Sequence, residues 1–193
     1  MPTPTFVYQI KVTLNDSKPP IWRRFLIPDS ISLHQLHNIL QIVMGWTHSH
    51  LHQFFIDDEI YGEPDMEDGY SEDLKNEKRY RLNQFVTRKG FKFVYDYDFG
   101  DSWEHTVHVE AILPVEKGKQ YPVCLEGKRA CPPEDIGGVW DYEELLQAAS
   151  NPKHPDYNEI LIEWFEEDFD PERFDVDDVN KTLRRYAARA RMK

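Results

Sequence analysis

Three histidines recur at every second position in His48-Ser49-His50-Leu51-His52, and His105 follows closely on Asp98 and Asp101 in Asp98-Phe99-Gly100-Asp101-Ser102-Trp103-Glu104-His105. Neutral imidazole with carboxylate is a donor set for zinc, manganese or iron, and two histidines on one strand face can share an ion. His50, His52, His105 and Asp101 are therefore the candidate metal ligands. An ion held there would generate a nucleophile from water, the chemistry of a metal-dependent hydrolase. Against this, strand alternation puts His50 and His52 on one face with Phe54 and Ile56, which equally suits packed or hydrogen-bonded histidines.

The wider candidate ligand site adds Asp98, Glu134, Asp135 and Trp103, the last as a wall, so that His50, His52, Asp98, Asp101, His105, Glu134 and Asp135 surround one concave pocket. The alternative is that each polar motif stabilises only its own turn, with Asp101 capping its own backbone. Glu134-Asp135 after Pro132-Pro133 suits a turn cap or a partner for Arg23 or Arg24 better than an acid/base pair. Asp98-Phe99-Gly100 lacks the glycine-rich and catalytic-loop motifs that would make it a kinase metal site. Cys124 and Cys131, six residues apart, exceed the spacing of a zinc knuckle and read as reduced, buried thiols. No residue pattern identifies a catalytic nucleophile.

The elements that must position these residues can be read from periodicity. Phe6, Tyr8, Ile10, Val12 and Leu14 alternate with polar residues, as in a half-buried strand, and Ile21 to Ile27 forms a second extended segment that ends at Pro28. Ser32 with Gln35 is a capping box, and Leu33, Leu36, Leu40 and Val43 make a helical stripe ending at Gly45, which predicts a helix over about 33–44. The histidine run leads into a strand through Ile56, and 57–79 reads as a long acidic loop without EF-hand spacing. Phe91–Phe99 and Trp103–Leu113 read as a hairpin, with Phe99 opposite Trp103, Tyr97 opposite His105 and Tyr95 opposite Val107, so that Phe93, Tyr95, Tyr97, Val107 and Val109 share the core face. Asp141 with Glu144, stapled by Trp140 and Leu145, predicts a further capped helix, and helical stripes follow from Tyr157 and from Val176. Strands first and helices last, without βαβ alternation, make the fold class α+β: an antiparallel sheet with a central hairpin packed by helices, in one domain of 193 residues with a helical extension over 151–193.

A net charge of −12 opposes nonspecific binding to phosphate backbones over the whole surface. From Asn180 onward there are six bases and no acid, so a nucleic-acid contact would be confined to that tail, which can equally pair with the acidic body. No apolar run approaches the roughly 20 residues of a membrane span, and Met1-Pro2-Thr3-Pro4-Thr5 is unlike a signal peptide, so the expectation is a cytoplasmic protein with no membrane partner.

Three stretches stand out: Pro20-Ile21-Trp22-Arg23-Arg24 with Leu33-His34-Gln35-Leu36-His37 and Gly45-Trp46; Tyr95 to His105; and Cys131-Pro132-Pro133-Glu134-Asp135-Ile136-Gly137-Gly138. Together they closely resemble the plasmid pRiA4b ORF-three-like family over about residues 6–150. Asp141 stands where the family commonly has Gly before the Tyr. The resemblance implies an α+β fold, found in bacteria and archaea and sometimes associated with mobile elements, and supplies no activity. Some relatives carry a resolvase label, which the acidic charge and the lack of a nucleophile arrangement oppose. The first functional expectation is thus a noncatalytic binding or accessory module for a protein or small ligand; the second is a metal-dependent hydrolase using the His/Asp cluster.

Overall fold

The structure is a computed structural model that describes residues 5–64, 73–165 and 169–191. Its chain order is β1 (Phe6–Leu14), β2 (Trp22–Pro28), α1 (Leu33–Met44), β3 (His52–Ile56), β4 (Glu59–Gly62), β5 (Leu74–Asn76), β6 (Lys92–Tyr97), β7 (Trp103–Pro114), β8 (Val123–Lys128), α2 (Gly138–Ala149), α3 (Tyr157–Glu163) and α4 (Val176–Arg191). One eight-stranded sheet runs β5-β4-β3-β6-β7-β1-β2-β8, antiparallel except at β4–β5, so the fold is α+β. Among the described residues, no helix is long and apolar enough to cross a membrane.

Period-two alternation decides which face of the sheet is buried. Tyr8, Ile10, Val12 and Leu14 of β1 lie in the core with Phe25 and Ile27 of β2, while Gln9, Lys11 and Thr13 remain partly exposed. α1 adds Leu33, Leu36, Ile39, Leu40 and Val43, all essentially inaccessible. Its start carries the expected box, Ser32 Oγ accepting from Gln35 N and the Gln35 side chain accepting from Ser32 N, and its end is Gly45 at φ 112°.

The central hairpin keeps the expected faces but not the expected register. Tyr97 pairs with Trp103, Tyr95 with His105 and Phe93 with Val107, two residues from the pairing read off the sequence. A slip of two preserves parity, so Phe93, Tyr95, Tyr97, Val107 and Val109 are still buried together. The cause is a five-residue loop, 98–102. Asp98 enters it at φ 61°, its carboxylate accepts from Gly100 N and Asp101 N, and its carbonyl accepts from Ser102 N. Phe99 is thereby left 48 % exposed at the tip.

Two further expectations are corrected. The acidic stretch 57–79 contains β4 and β5 as well as the fully buried Glu77; residues 65–72 lie outside the described set. In α2 no Asp141 capping box forms. The helix opens earlier, at Gly138 after left-handed Gly137, which places Asp141 in the first turn and leaves Trp140 64 % exposed.

The adjacent arginines take opposite faces, as strand alternation requires. Arg24, on the half-exposed face, pairs with Glu110 at 2.7 Å and Glu126 at 2.6 Å, rather than with the acids of the hairpin loop or the Glu134-Asp135 motif. Arg23 is 1 % exposed and meets no carboxylate among the described residues: its guanidinium donates to the carbonyls of Val43 (2.8 Å), Lys128 (2.7 Å) and Trp22 (2.9 Å), and weakly to Met44 (3.4 Å). Val43 and Met44 are the last residues of α1, so the cation occupies the negative end of the helix. Burial draws its pKa down to about 10, with the Cys131 and Cys124 thiols opposing, so the charge persists at neutral pH. The Phe174 ring covers the guanidinium at 4.0 Å and reaches it across Gly127, where a methyl group would stand 2.5 Å from the ring.

Replacing Arg23 by Met should destabilise the protein by at least about 3 kcal/mol, because each buried carbonyl left unpaired costs roughly 1–3 kcal/mol. Arg23→Lys should recover little of this, since an ammonium cannot reproduce a fork of donors. Denaturant unfolding monitored by tryptophan fluorescence measures both; near wild-type stability of the Met variant would refute the account.

Candidate metal centre

Four side chains from three separate motifs meet beyond the ends of β3 and β6. His50 lies two residues before β3, Asp98 opens the loop after β6, and Glu134 and Asp135 come from the segment between β8 and α2. His50 Nε2 stands 3.3 Å from Asp135 Oδ1, 3.6 Å from Asp98 Oδ2 and 3.7 Å from Glu134 Oε2. Ligand atoms of His50, Asp98 and Asp135 all lie within 4.8 Å of one another. Nε2 is itself buried and has no hydrogen-bond partner among the described residues.

Local backbone geometry builds this convergence. Asp98 and Asp135 adopt left-handed backbone at φ 61° and 58°, a conformation that costs roughly 1–3 kcal/mol for a side-chain-bearing residue and that neighbouring contacts must hold. Asp98 N donates to Leu51 O at 2.9 Å, which ties the loop to the histidine segment. Glu134 is oriented by Thr47 N and Thr47 Oγ1, each 2.8 Å from Oε1, and by the Tyr97 hydroxyl at 3.2 and 3.3 Å. Burial and then the nearby Glu134 charge push the Tyr97 hydroxyl pKa well up, so it stays protonated as a donor.

The remaining predicted residues are placed differently. Asp101 does not cap its own turn: its Oδ2 accepts from Gly137 N at 3.0 Å, and a methyl group on Gly138 would come within 2.6 Å of its carbonyl oxygen. Asp101 thus joins the hairpin loop to the start of α2. Trp103 is fully buried and packs on Trp46, with centroids 5.2 Å apart. His105 is fully buried as well, 5.5 Å from the Tyr95 ring, and among the described residues neither ring nitrogen makes a hydrogen bond of good geometry.

His52 belongs to a second cluster that the sequence did not disclose. Glu77, at zero exposure, accepts from His52 Nε2 at 2.8 Å and from His34 Nδ1 at 2.7 Å. Burial raises the Glu77 pKa, but the His34 and His52 hydrogen bonds with their charge outweigh it and bring the value down to about 2. His37 stacks on His52 at 3.4 Å and hydrogen-bonds the Tyr95 hydroxyl (2.8 Å) and His48 Nδ1 (3.1 Å). Glu63 comes near His34 and Glu77, but it is exposed and pairs with Lys78, while both Glu77 oxygens are already engaged. This cluster is a hydrogen-bonded brace between α1, β3 and the turn after β5. The available signal was the helical spacing of His34 and His37 beside buried Leu33 and Leu36; nothing in the acidic stretch singled out Glu77.

Burial also raises the pKa of both thiols, Cys124 to about 11 and Cys131 higher, which makes them poor nucleophiles.

Comparison with known proteins agrees with the motif resemblance and extends it. The profile of the family described as plasmid pRiA4b ORF-3-like protein matches residues 6–178, past 150 and into the first turn of α4. An uncharacterized protein, y4hQ, of Sinorhizobium fredii (strain NBRC 101917 / NGR234) is 39 % identical over 185 residues, covering 95 % of this chain and 93 % of its own. A crystal structure of a protein of unknown function, MM3350 from Methanosarcina mazei Go1, superposes with a TM-score of 0.83 at 38 % identity, covering 91 % of this chain and 98 % of that one. The chain belongs to the plasmid pRiA4b ORF-3-like family.

Two measurements follow from the buried groups. Burial lowers the His105 pKa from 6.5 to about 4. The unfolded chain then binds more protons between those values, so stability is full above pH 6.5 and falls as the pH drops toward 4, by about 1.4 kcal/mol per unit. His105→Phe should fold and flatten the pH dependence of unfolding free energy by about that slope; an unchanged slope would refute it. Glu77→Ala strips both imidazoles of their acceptor in a buried setting and should cost about 2–4 kcal/mol, read as a lower denaturant midpoint.

Proposed function

We propose that this member of the plasmid pRiA4b ORF-3-like family binds one divalent cation between His50, Asp98 and Asp135, with Glu134 alongside, and acts as a metal-dependent hydrolase. The observation that carries this reading is the His50 environment: a buried, unpartnered Nε2 facing three carboxylate oxygens at 3.3–3.7 Å. These separations are too long for good hydrogen bonds. They approach the edge of a coordination tetrahedron, about 3.4 Å for metal–ligand bonds near 2.1 Å. Three carboxylates, with the Asp98 side chain only 9 % exposed, repel one another unless positive charge lies among them, and even a protonated imidazole offsets one of the three. One imidazole nitrogen and two carboxylates suit zinc, manganese or iron. Three protein ligands leave coordination positions open for water, and a bound ion there would supply an activated water. The Tyr97 and Thr47 contacts hold Glu134 beside these ligands, the outer-shell support that such a site needs.

A second reading keeps the same ion in a noncatalytic binding module. It is favoured by Leu51 and Phe99, exposed to 58 % and 48 % next to His50 and Asp98, and by Trp140, 64 % exposed in the first turn of α2. Apolar surface of that kind suits a protein or small-ligand partner.

Chelator-stripped, tag-free protein titrated with zinc, manganese and iron(II) should take up one equivalent of at least one of them. His50→Ala and Asp98→Asn should each weaken binding by more than about tenfold, and Tyr97→Phe by about tenfold through misorientation of Glu134. Absence of stoichiometric uptake would end this proposal. Metal-dependent turnover of activated ester or phosphodiester substrates would separate the hydrolase from the binding module.

A further inference from the structure

A cleft of about 660 Å³ opens beside the proposed ion site and shares Thr47 and Glu134 with it. Its walls are Trp46, Trp164 and Phe169, with Pro132 and Pro133 in the same segment as Glu134, and its basic side chain is Arg173. The volume is that of a small-molecule site. We infer that this cleft binds a small organic anion with a flat apolar body, held by Arg173 and presented to the ion site at Glu134; as a substrate site, it rests on the metal reading.

The ligand's anchor follows from which lining groups already have hydrogen-bond partners. The Glu134 carboxylate accepts from Thr47 and Tyr97, and Asp170 Oδ1 accepts from Glu172 N at 2.9 Å. Arg173 uses its backbone N–H on Asp170 O, whereas its guanidinium has no hydrogen bond or ion pair among the described residues. In a protein of net charge −12, a guanidinium with no partner among the described residues, beside aromatic walls, is the feature of this cleft that selects an acceptor-bearing, negatively charged ligand. The indole and phenyl faces select a flat apolar body. Carboxylate and phosphate satisfy the same fork of donors, so the probes must include both.

Isothermal titration of the full chain with 1-naphthyl phosphate, 1-naphthoate and neutral 1-naphthol tests the assignment. At least one anion should bind at one equivalent and more tightly than 1-naphthol, and which anion wins identifies the charged group. Arg173→Gln should weaken the anion by about tenfold or more, the equivalent of one charge-assisted hydrogen bond, and leave 1-naphthol unchanged. Trp164→Ala should weaken all binding probes. The assignment is overturned if neither anion binds at millimolar concentration, if 1-naphthol binds as tightly as the anions, or if Arg173→Gln changes nothing. Titration of the same preparation with metal separates the two ideas. Anion uptake without cation uptake fails the metal reading alone; cation uptake without anion uptake fails the cleft alone.

Discussion

The buried guanidinium of Arg23 is the constraint around which the rest of the protein is arranged. A cation with no carboxylate within reach is tolerable in a core only if oriented dipoles replace its hydration, and here carbonyls from α1, β2 and β8 do so. The same contacts satisfy carbonyls that the end of α1 and the edge of the sheet would otherwise bury unpaired. They fix where α1 stops, and therefore where the chain from Gly45 through His50 departs. Phe174, lying over the guanidinium, extends the linkage to the segment before α4. Helix end, sheet edge and C-terminal region meet at one side chain, which couples the position of His50 to packing far along the chain.

Much of this architecture was legible in the sequence wherever one residue type dictates one local outcome. The Ser32 and Gln35 capping box placed α1, because a hydroxyl and an amide three residues apart satisfy two helix donors reciprocally. Alternation in the hairpin fixed which residues are buried, since parity survives a shift of two. The register itself was not legible: it depends on Asp98 taking a left-handed backbone that its own side chain stabilises. Arg23 announced itself as a basic residue in an apolar strand, but its partners are backbone atoms, which no pattern of side chains reveals. Glu77 was hidden for the opposite reason, an acid among acids whose burial depends on two histidines from distant elements.

The four side chains of the proposed ion site were all in view as residue types, and their sorting was not. Histidines two residues apart ended in different surroundings, His50 among three carboxylates and His52 on Glu77, because β3 begins between them and only His52 is held by the ladder. Asp101, three residues after Asp98, bonds the start of α2 and so fixes the approach of the Glu134-Asp135 segment. Two acids in one short loop thus divide into a candidate ligand and a strut, a division set by backbone dihedrals that spacing does not encode.

The outer strand β8 has a consequence of its own. At Cys124 its open side is closed by a side chain, because Asn180 of α4 accepts from Cys124 N at 2.8 Å and donates to Cys124 O at 2.9 Å, as a neighbouring strand would. One amide thus serves as a terminator for a sheet that would otherwise present Val123, Cys124 and the 41 % exposed Leu125 as a template for strand addition. Conversion of Asn180 to aspartate, by spontaneous deamidation during storage, would replace the donor with a second acceptor facing the Cys124 carbonyl. The altered chain would retain its core yet gain a sticky flank, so that ageing of the purified protein would surface first as slow self-association through β8.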